Sequence, residues 1–339
     1  MNRFVGVALP MVALAVAAAV EKAVWAEDFY QGKSITIITS TGEGGGYDAI
    51  ARSLGRQMTK HIPGNPNFIV QNMPGGGHML ATNYLYNIAP KDGTVMGTVN
   101  QNVPSHQVLD GRGVRYDATK FNWLGALDNP NAIIAVWHTS AIHTIDDAMK
   151  QEVMTGATGD GSSGFRYPSV MNTILGTKFK VIKGYKSTGE IFTAMERGEV
   201  QARGGGYQAI AIQHPDWLRD NKVRFIIQIG RQREAELMDV PLWTEVAKTE
   251  EQREVLRLIG STISVGRPFL APPGLPADRV AMLRHAFAAA VKEEEFLADG
   301  RKLNFETGTI SAEEVTRIVA DTISAPPDIV AKAKAALGE

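Results

Sequence analysis

A short β-branched run, Ser34-Ile35-Thr36-Ile37-Ile38-Thr39, is followed within two residues by Gly42-Glu43-Gly44-Gly45-Gly46-Tyr47-Asp48 and then by a helical pattern. A strand that feeds a helix through glycines constrains the fold. The helix must pack back on the sheet its strand belongs to, and the next strand then runs parallel with a right-handed crossover. The glycines also leave backbone N–H groups bare. Together with the positive end of the helix dipole they form a seat for an anion. Asp48 is placed to cap a helix that carries Ala51, Leu54 and Met58 on one face.

The pattern continues. Ile62-Pro63-Gly64-Asn65-Pro66 breaks the helix, and Asn67 to Asn72 reads as a second strand. Pro74-Gly75-Gly76-Gly77 leads to a helix through Tyr84 to Ile88, and Asp92-Gly93 turns into a third strand, Thr94 to Val99. Ala132 to Trp137 is a further apolar strand and a crossing into a second unit. There Thr144 and Asp147 frame a helix cap, Val153 to Ala157 is a strand, and Gly159-Asp160-Gly161-Ser162-Ser163-Gly164 is another glycine turn before a helix. Ser187 with Glu190 makes a capping box, and Val223 to Gln228 is a strand. Ser264 to Ala271 reads as a strand returning to the first unit, before an amphipathic helix with Val280, Leu283, Phe287 and Val291. Ser311 and Glu314 form a last capping box. The expectation is two α/β lobes joined by two crossings near Ala132 and Ser264, with a glycine turn from each facing a ligand cleft.

Composition narrows the function. Lys and Arg number 35 against 36 Asp and Glu, so the chain lacks the basic excess of a nucleic-acid binder. It has no cysteine, which excludes disulfides, thiolate metal sites, Cys nucleophiles and lipoprotein acylation. Arg3, the apolar stretch Phe4 to Val20, and Val24-Trp25-Ala26 form a secretory signal-peptide pattern over residues 1–26. The apolar stretch, with Pro10 inside it, is short for a membrane span. The mature protein is expected to be exported and to begin near Glu27.

Several chemistries fit poorly. Gly44-x-Gly46-x-x-Ala49 satisfies a relaxed dinucleotide fingerprint, so an NAD(P)-dependent oxidoreductase is one alternative. However, the second strand ends Gln71-Asn72 where that fingerprint needs an acid, and the charge of Asp48 in the turn opposes a pyrophosphate. The histidines are scattered; His138 and His143 stand five apart, a poor spacing for metal ligands on a helix. Gly161-Ser162-Ser163-Gly164 never completes a nucleophile elbow. What remains suits the holding of an anion. Ser162 and Ser163 can donate, Arg166 and Arg203 can fork onto a carboxylate, and Tyr47, Tyr167, Tyr185 and Tyr207 can supply hydroxyls or an aromatic wall. Glycines serving only a tight turn are the plain alternative.

These segments resemble the substrate-binding proteins of tripartite tricarboxylate transporters, the Bug or TctC-like receptors. The likeness lies in Gly44-Gly45-Gly46-Tyr47-Asp48 with Ala51-Arg52, in Asn72-Met73-Pro74-Gly75-Gly76-Gly77, and in Pro90-Lys91-Asp92-Gly93-Thr94. It continues in Tyr185-Lys186-Ser187, Asp239-Val240-Pro241 and Ala271-Pro272-Pro273-Gly274-Leu275-Pro276, in the family's order. The resemblance implies a type II periplasmic-binding-protein (Venus flytrap) fold, with lobe 1 from residues 27–132 and 265–339 and lobe 2 from 133–264. It also implies a periplasmic, non-enzymatic receptor, monomeric and without cofactor or metal. Such a receptor captures a small organic carboxylate and delivers it to a large and a small integral membrane subunit. A sensor for a membrane signalling partner is the other reading of the same design.

Carried over, the first-lobe contacts are Gly44, Gly45, Gly46, Tyr47 and Asp48, and the second-lobe contacts are Gly161, Ser162, Ser163 and Gly164. Arg166, Tyr185, Arg203 and Tyr207 complete the expected site. The chain departs from the family pattern at Thr41-Gly42-Glu43, at Arg166, and at Gly204-Gly205-Gly206-Tyr207, where members often carry an Asp.

Overall fold

The computed structural model describes residues 29–338, apart from 45, 128–130, 160, 161, 262, 264, 304 and 306, and apart from the side chains of 77, 208 and 212. The expected signal peptide, Gly45, Gly161 and the crossing at Ser264 lie outside the described residues.

The chain opens with β1 (Ser34–Thr39), α1 (Gly46–Met58), β2 (Asn67–Asn72), α2 (Met79–Asn87), β3 (Val95–Thr98), α3 (Val103–Leu109) and β4 (Asn122–Leu127). Its middle carries β5 (Ala132–Trp137), α4 (Ile145–Lys150), β6 (Val153–Ala157), α5 (Ser163–Leu175), β7 (Phe179–Lys183), α6 (Thr188–Glu196) and β8 (Ala202–Gly206). Then come α7 (Gln208–Gln213), α8 (Pro215–Arg219), β9 (Val223–Ile229) and α9 (Glu250–Gly260). The chain ends with β10 (Arg267–Ala271), α10 (Ala277–Ala290), α11 (Glu294–Leu303), β11 (Thr309–Ser311), α12 (Ala312–Ile323) and α13 (Pro327–Leu337). No helix among the described residues is long and apolar enough to cross a membrane.

Two compact units form. Among the described residues, the first holds those up to Val99, Lys120–Gly125 and Phe269–Ala312; the second holds Asn100–Thr119, Ala126–Pro268 and those from Glu313 onward. This division differs from the expected boundaries mainly at residues 100–119 and 313–339. Ile329 and Ala333 of α13 pack with Leu109, Val255 and Leu258 of the second unit. A helix's periodicity marks its apolar face but does not name the partner for that face.

The first unit's sheet runs β11-β4-β10-β3-β1-β2. β1 pairs in parallel with β2 and β3, and β10 joins β3 antiparallel. The expected βαβαβ order is therefore present. α1 buries Ile50, Ala51, Leu54 and Met58, which recur at helical spacing, against this sheet. Burying each large apolar side chain contributes about 1.5–3 kcal/mol before the ordering cost.

The second unit's sheet runs β7-β6-β8-β5-β9. β5 reads as an unbroken apolar run because both its faces are covered. Ile134 and Val136 join one core cluster with Ala202, Met171 and Trp243. Ile133 and Ala135 join another with Phe192, Met195 and Trp217. β8 is central in the sheet although three of its five residues are glycine. Close approach explains them: a Cβ on Gly204 would stand 3.4 Å from the Cα of Gly164 in α5, and one on Gly164 would stand 3.3 Å from the Gly204 carbonyl oxygen. The sequence reading assigns no element to this glycine run, since glycine ordinarily weakens a strand.

Candidate functional site

In the first unit the glycine turn is braced from within. Asp48, only 4% exposed, accepts hydrogen bonds from the Gly44 N–H (3.0 Å), Asn72 Nδ2 (3.0 Å) and Arg52 Nε (3.1 Å). Asn72 Nδ2 also donates to the Thr41 carbonyl. Asn72 thus stands where a dinucleotide fingerprint needs an acid, and it ties β2 to the turn instead. Burial works against the charged form of Asp48, but the bonds from Arg52, Gly44 and Asn72 outweigh it and hold the carboxyl below its ordinary value. The Asp48 carboxylate is occupied by its own chain, so it shapes the turn. Gly44 and Gly46 are exposed and Tyr47 is half-buried.

In the second unit Ser162 precedes α5, but its hydroxyl donates back to the Gly159 carbonyl at 2.6 Å and does not cap the helix. Ser163 is exposed at the first helical position. Gly164 is buried in the contact with β8. Ser163, Arg166 and Tyr167 line a cavity of about 340 Å³ with Asn102, Ser105 and His106. Burial pushes the Tyr167 hydroxyl up to about 12, with the Arg166 charge pulling the other way. The residues of α3 in this cavity carry no motif, and sequence reasoning missed them. A larger cavity, about 490 Å³, includes Arg231, Arg257 and Arg317 but none of the expected site residues. Its arginines are paired with Glu314 and Glu250.

Arg203 lies elsewhere. Strand alternation puts Ala202 in one core cluster and Arg203 on the opposite face of the sheet. There its guanidinium carbon sits 5.1 Å from the centre of the Phe192 ring, on the side where Tyr185 and Tyr207 pack. Arg203 is 4% exposed. Nη2 donates to the Gly204 carbonyl at 3.2 Å, while Nε and Nη1 have no partner among the described residues. Burial pulls this guanidinium down to about 10. Gly205, with φ 142°, makes room for it: a Cβ there would stand 2.2 Å from Nη2 and 3.4 Å from the Ser163 hydroxyl. Ser163 and Arg203 therefore meet over Gly205, at the C-terminal end of β8 and the N-terminus of α5. Arg166 is directed to the other side of the sheet, into the cavity with α3.

No cluster of potential metal ligands occurs among the described residues. A family model described as the tripartite tricarboxylate transporter family receptor, TctC, matches residues 50–334. The chain belongs to this family. A TctC solute-binding protein from Polaromonas, solved without ligand, is 20% identical to this receptor; the match covers 91% of this chain and 99% of that one, with a TM-score of 0.72. MatC from Rhodopseudomonas palustris with bound malate is 19% identical over 88% of this chain and 99% of that one, TM-score 0.55. An R. palustris protein with adipate is 18% identical over 89% and 97%, TM-score 0.55. These likenesses establish the periplasmic-binding-protein fold for the receptor. No curated protein matches the sequence.

Proposed function

We propose that this chain is a periplasmic receptor that binds a small organic carboxylate and passes it, unaltered, to the large and small membrane subunits of a tripartite tricarboxylate transporter. It works as a monomer, exported by the signal peptide at residues 1–26. Family membership supports the receptor role, and malate and adipate in two structural neighbours support the ligand class.

The observation that carries the ligand class in this chain is Arg203. A buried cation without a counter-ion is costly, and an anionic ligand supplies the missing charge. A carboxylate over Gly205 meets Arg203 Nη2, the Ser163 hydroxyl and the positive end of a long helix. Gly46, exposed at the start of α1, and Tyr47 are the first unit's contacts in this reading, since the Gly44 N–H is taken by Asp48. The test is a thermal-shift screen of residues 27–339 against mono-, di- and tricarboxylates, with NAD(P) as control. A ligand at 100 times its Kd adds about 2.7 kcal/mol of stability. Shifts for carboxylates are expected; a shift for NAD(P) alone would return the glycine turn to nucleotide binding.

A further inference from the structure

His78 follows Gly75-Gly76-Gly77 and immediately precedes α2. Its backbone is left-handed, with φ 78°. A β-carbon is crowded in that conformation, and glycine adopts it freely. The fold therefore holds an imidazole where a fourth glycine would be more stable, and an outlier of this kind points to a role for the side chain.

The ring's chemistry is fixed by its neighbours. Nδ1 lies 3.2 Å from the Ser40 carbonyl oxygen and 3.2 Å from the Ser40 hydroxyl. A carbonyl oxygen only accepts, so Nδ1 carries the hydrogen. In the neutral ring Nε2 is then a bare acceptor, and no described group is bonded to it. The ring is half-buried. Its anchor, Ser40, directly follows β1. The C-terminal ends of the parallel strands β1, β2 and β3 share one edge of the first unit's sheet, the edge at which such sheets take ligands. A second polar group there lacks a partner among the described residues: the hydroxyl of Thr98, fully buried at the end of β3.

We propose that His78 is a specificity-determining residue whose Nε2 accepts a hydrogen bond from a hydroxyl of the ligand. The protein then prefers a hydroxycarboxylate to the same acid without the hydroxyl. A carboxylate oxygen carries no hydrogen and would meet the Nε2 lone pair with its own, so this tautomer reads O–H and rejects O⁻. The inference rests on the receptor reading.

Matched acids differing by one hydroxyl test it: propionate and lactate, succinate and malate, glutarate and 2-hydroxyglutarate, tricarballylate and citrate. Each is titrated calorimetrically into the wild type, His78→Gly and His78→Asn. Gly and Asn both accept the left-handed backbone, so the turn is kept, and thermal unfolding verifies it. In the wild type at least one hydroxy acid binds about tenfold more tightly than its partner. His78→Gly melts no lower than wild type and reduces that ratio to about twofold at most, with the affinity for the plain acid unchanged. Carboxylate binding with no hydroxyl advantage in any pair overturns the role of His78 and leaves the receptor reading standing. An advantage that survives in both variants, or an equal loss for both acids of a pair, also overturns it. Binding of none of these acids by the wild type overturns the receptor reading itself.

Discussion

The guanidinium of Arg203 lies over the ring of Phe192, its carbon 5.1 Å from the ring centre, and among the described residues no carboxylate is bonded to it. The ring stabilises the cation modestly and leaves the in-plane N–H groups open. Cores tolerate buried charges when these are paired. Arg203 departs from that rule, and a ligand anion is the simplest partner for it.

Arg203→Met removes the desolvated charge and keeps most of the volume. Such replacements of buried charges are neutral or stabilising by about 1–4 kcal/mol. The melting temperature of the ligand-free variant should hold or rise. A fall beyond about 1 kcal/mol would show that the guanidinium is satisfied in a way the unpartnered Nε and Nη1 do not indicate.

Gly205→Ala tests the space that seats the guanidinium. The added Cβ would meet Arg203 Nη2 at 2.2 Å, and the backbone at φ 142° disfavours any side chain. A stability loss of about 1–3 kcal/mol is expected in urea unfolding, together with weaker carboxylate binding. Unchanged affinity would separate this glycine from the ligand.

Arg166→Ala separates the two sides of the second sheet. Arg166 opens into the cavity with Ser105 and His106, away from Arg203. Its removal should cost at least about tenfold less affinity, or 1.4 kcal/mol, than removal of Arg203. The reverse order, read by calorimetry, would move the anion seat into that cavity.

Asp48 gives a pH signature. Its folded carboxyl is held below the unfolded value of about 3.9. The stabilisation is therefore fully present above pH 4 and is lost as pH falls through the lower folded value. Asp48→Asn should cost about 1–3 kcal/mol at neutral pH, because Arg52 and the Gly44 N–H lose a charged acceptor. It should also flatten the acid loss of stability below pH 4. An unchanged acid limb in urea melts would contradict the bracing role.

Much of the frame was legible because its signals are local. β1, β2 and β5 follow from β-branched or apolar runs between turn residues, and the Thr144 capping box forms as its spacing predicts, whereas at Ser187 only the cap itself forms and the Glu190 carboxylate accepts from the Lys186 N–H. What escaped depends on tertiary context. The glycines of β8 carry no strand signal, and their place in the sheet is explained only by the approach of Gly164 to Gly204. Arg166 and Arg203 look equivalent in sequence, yet strand alternation and helix packing send them to opposite faces. The left-handed backbone of His78 has no sequence signature beyond the glycines before it.

The most direct test of the central claim is calorimetric titration of one carboxylate, the strongest stabiliser in the thermal-shift screen, into the wild type and Arg203→Met. A buried charge pair should make the variant weaker by about 2–5 kcal/mol, or 30-fold and more. Equal affinity in the two proteins would contradict the assignment of Arg203 as the anion seat.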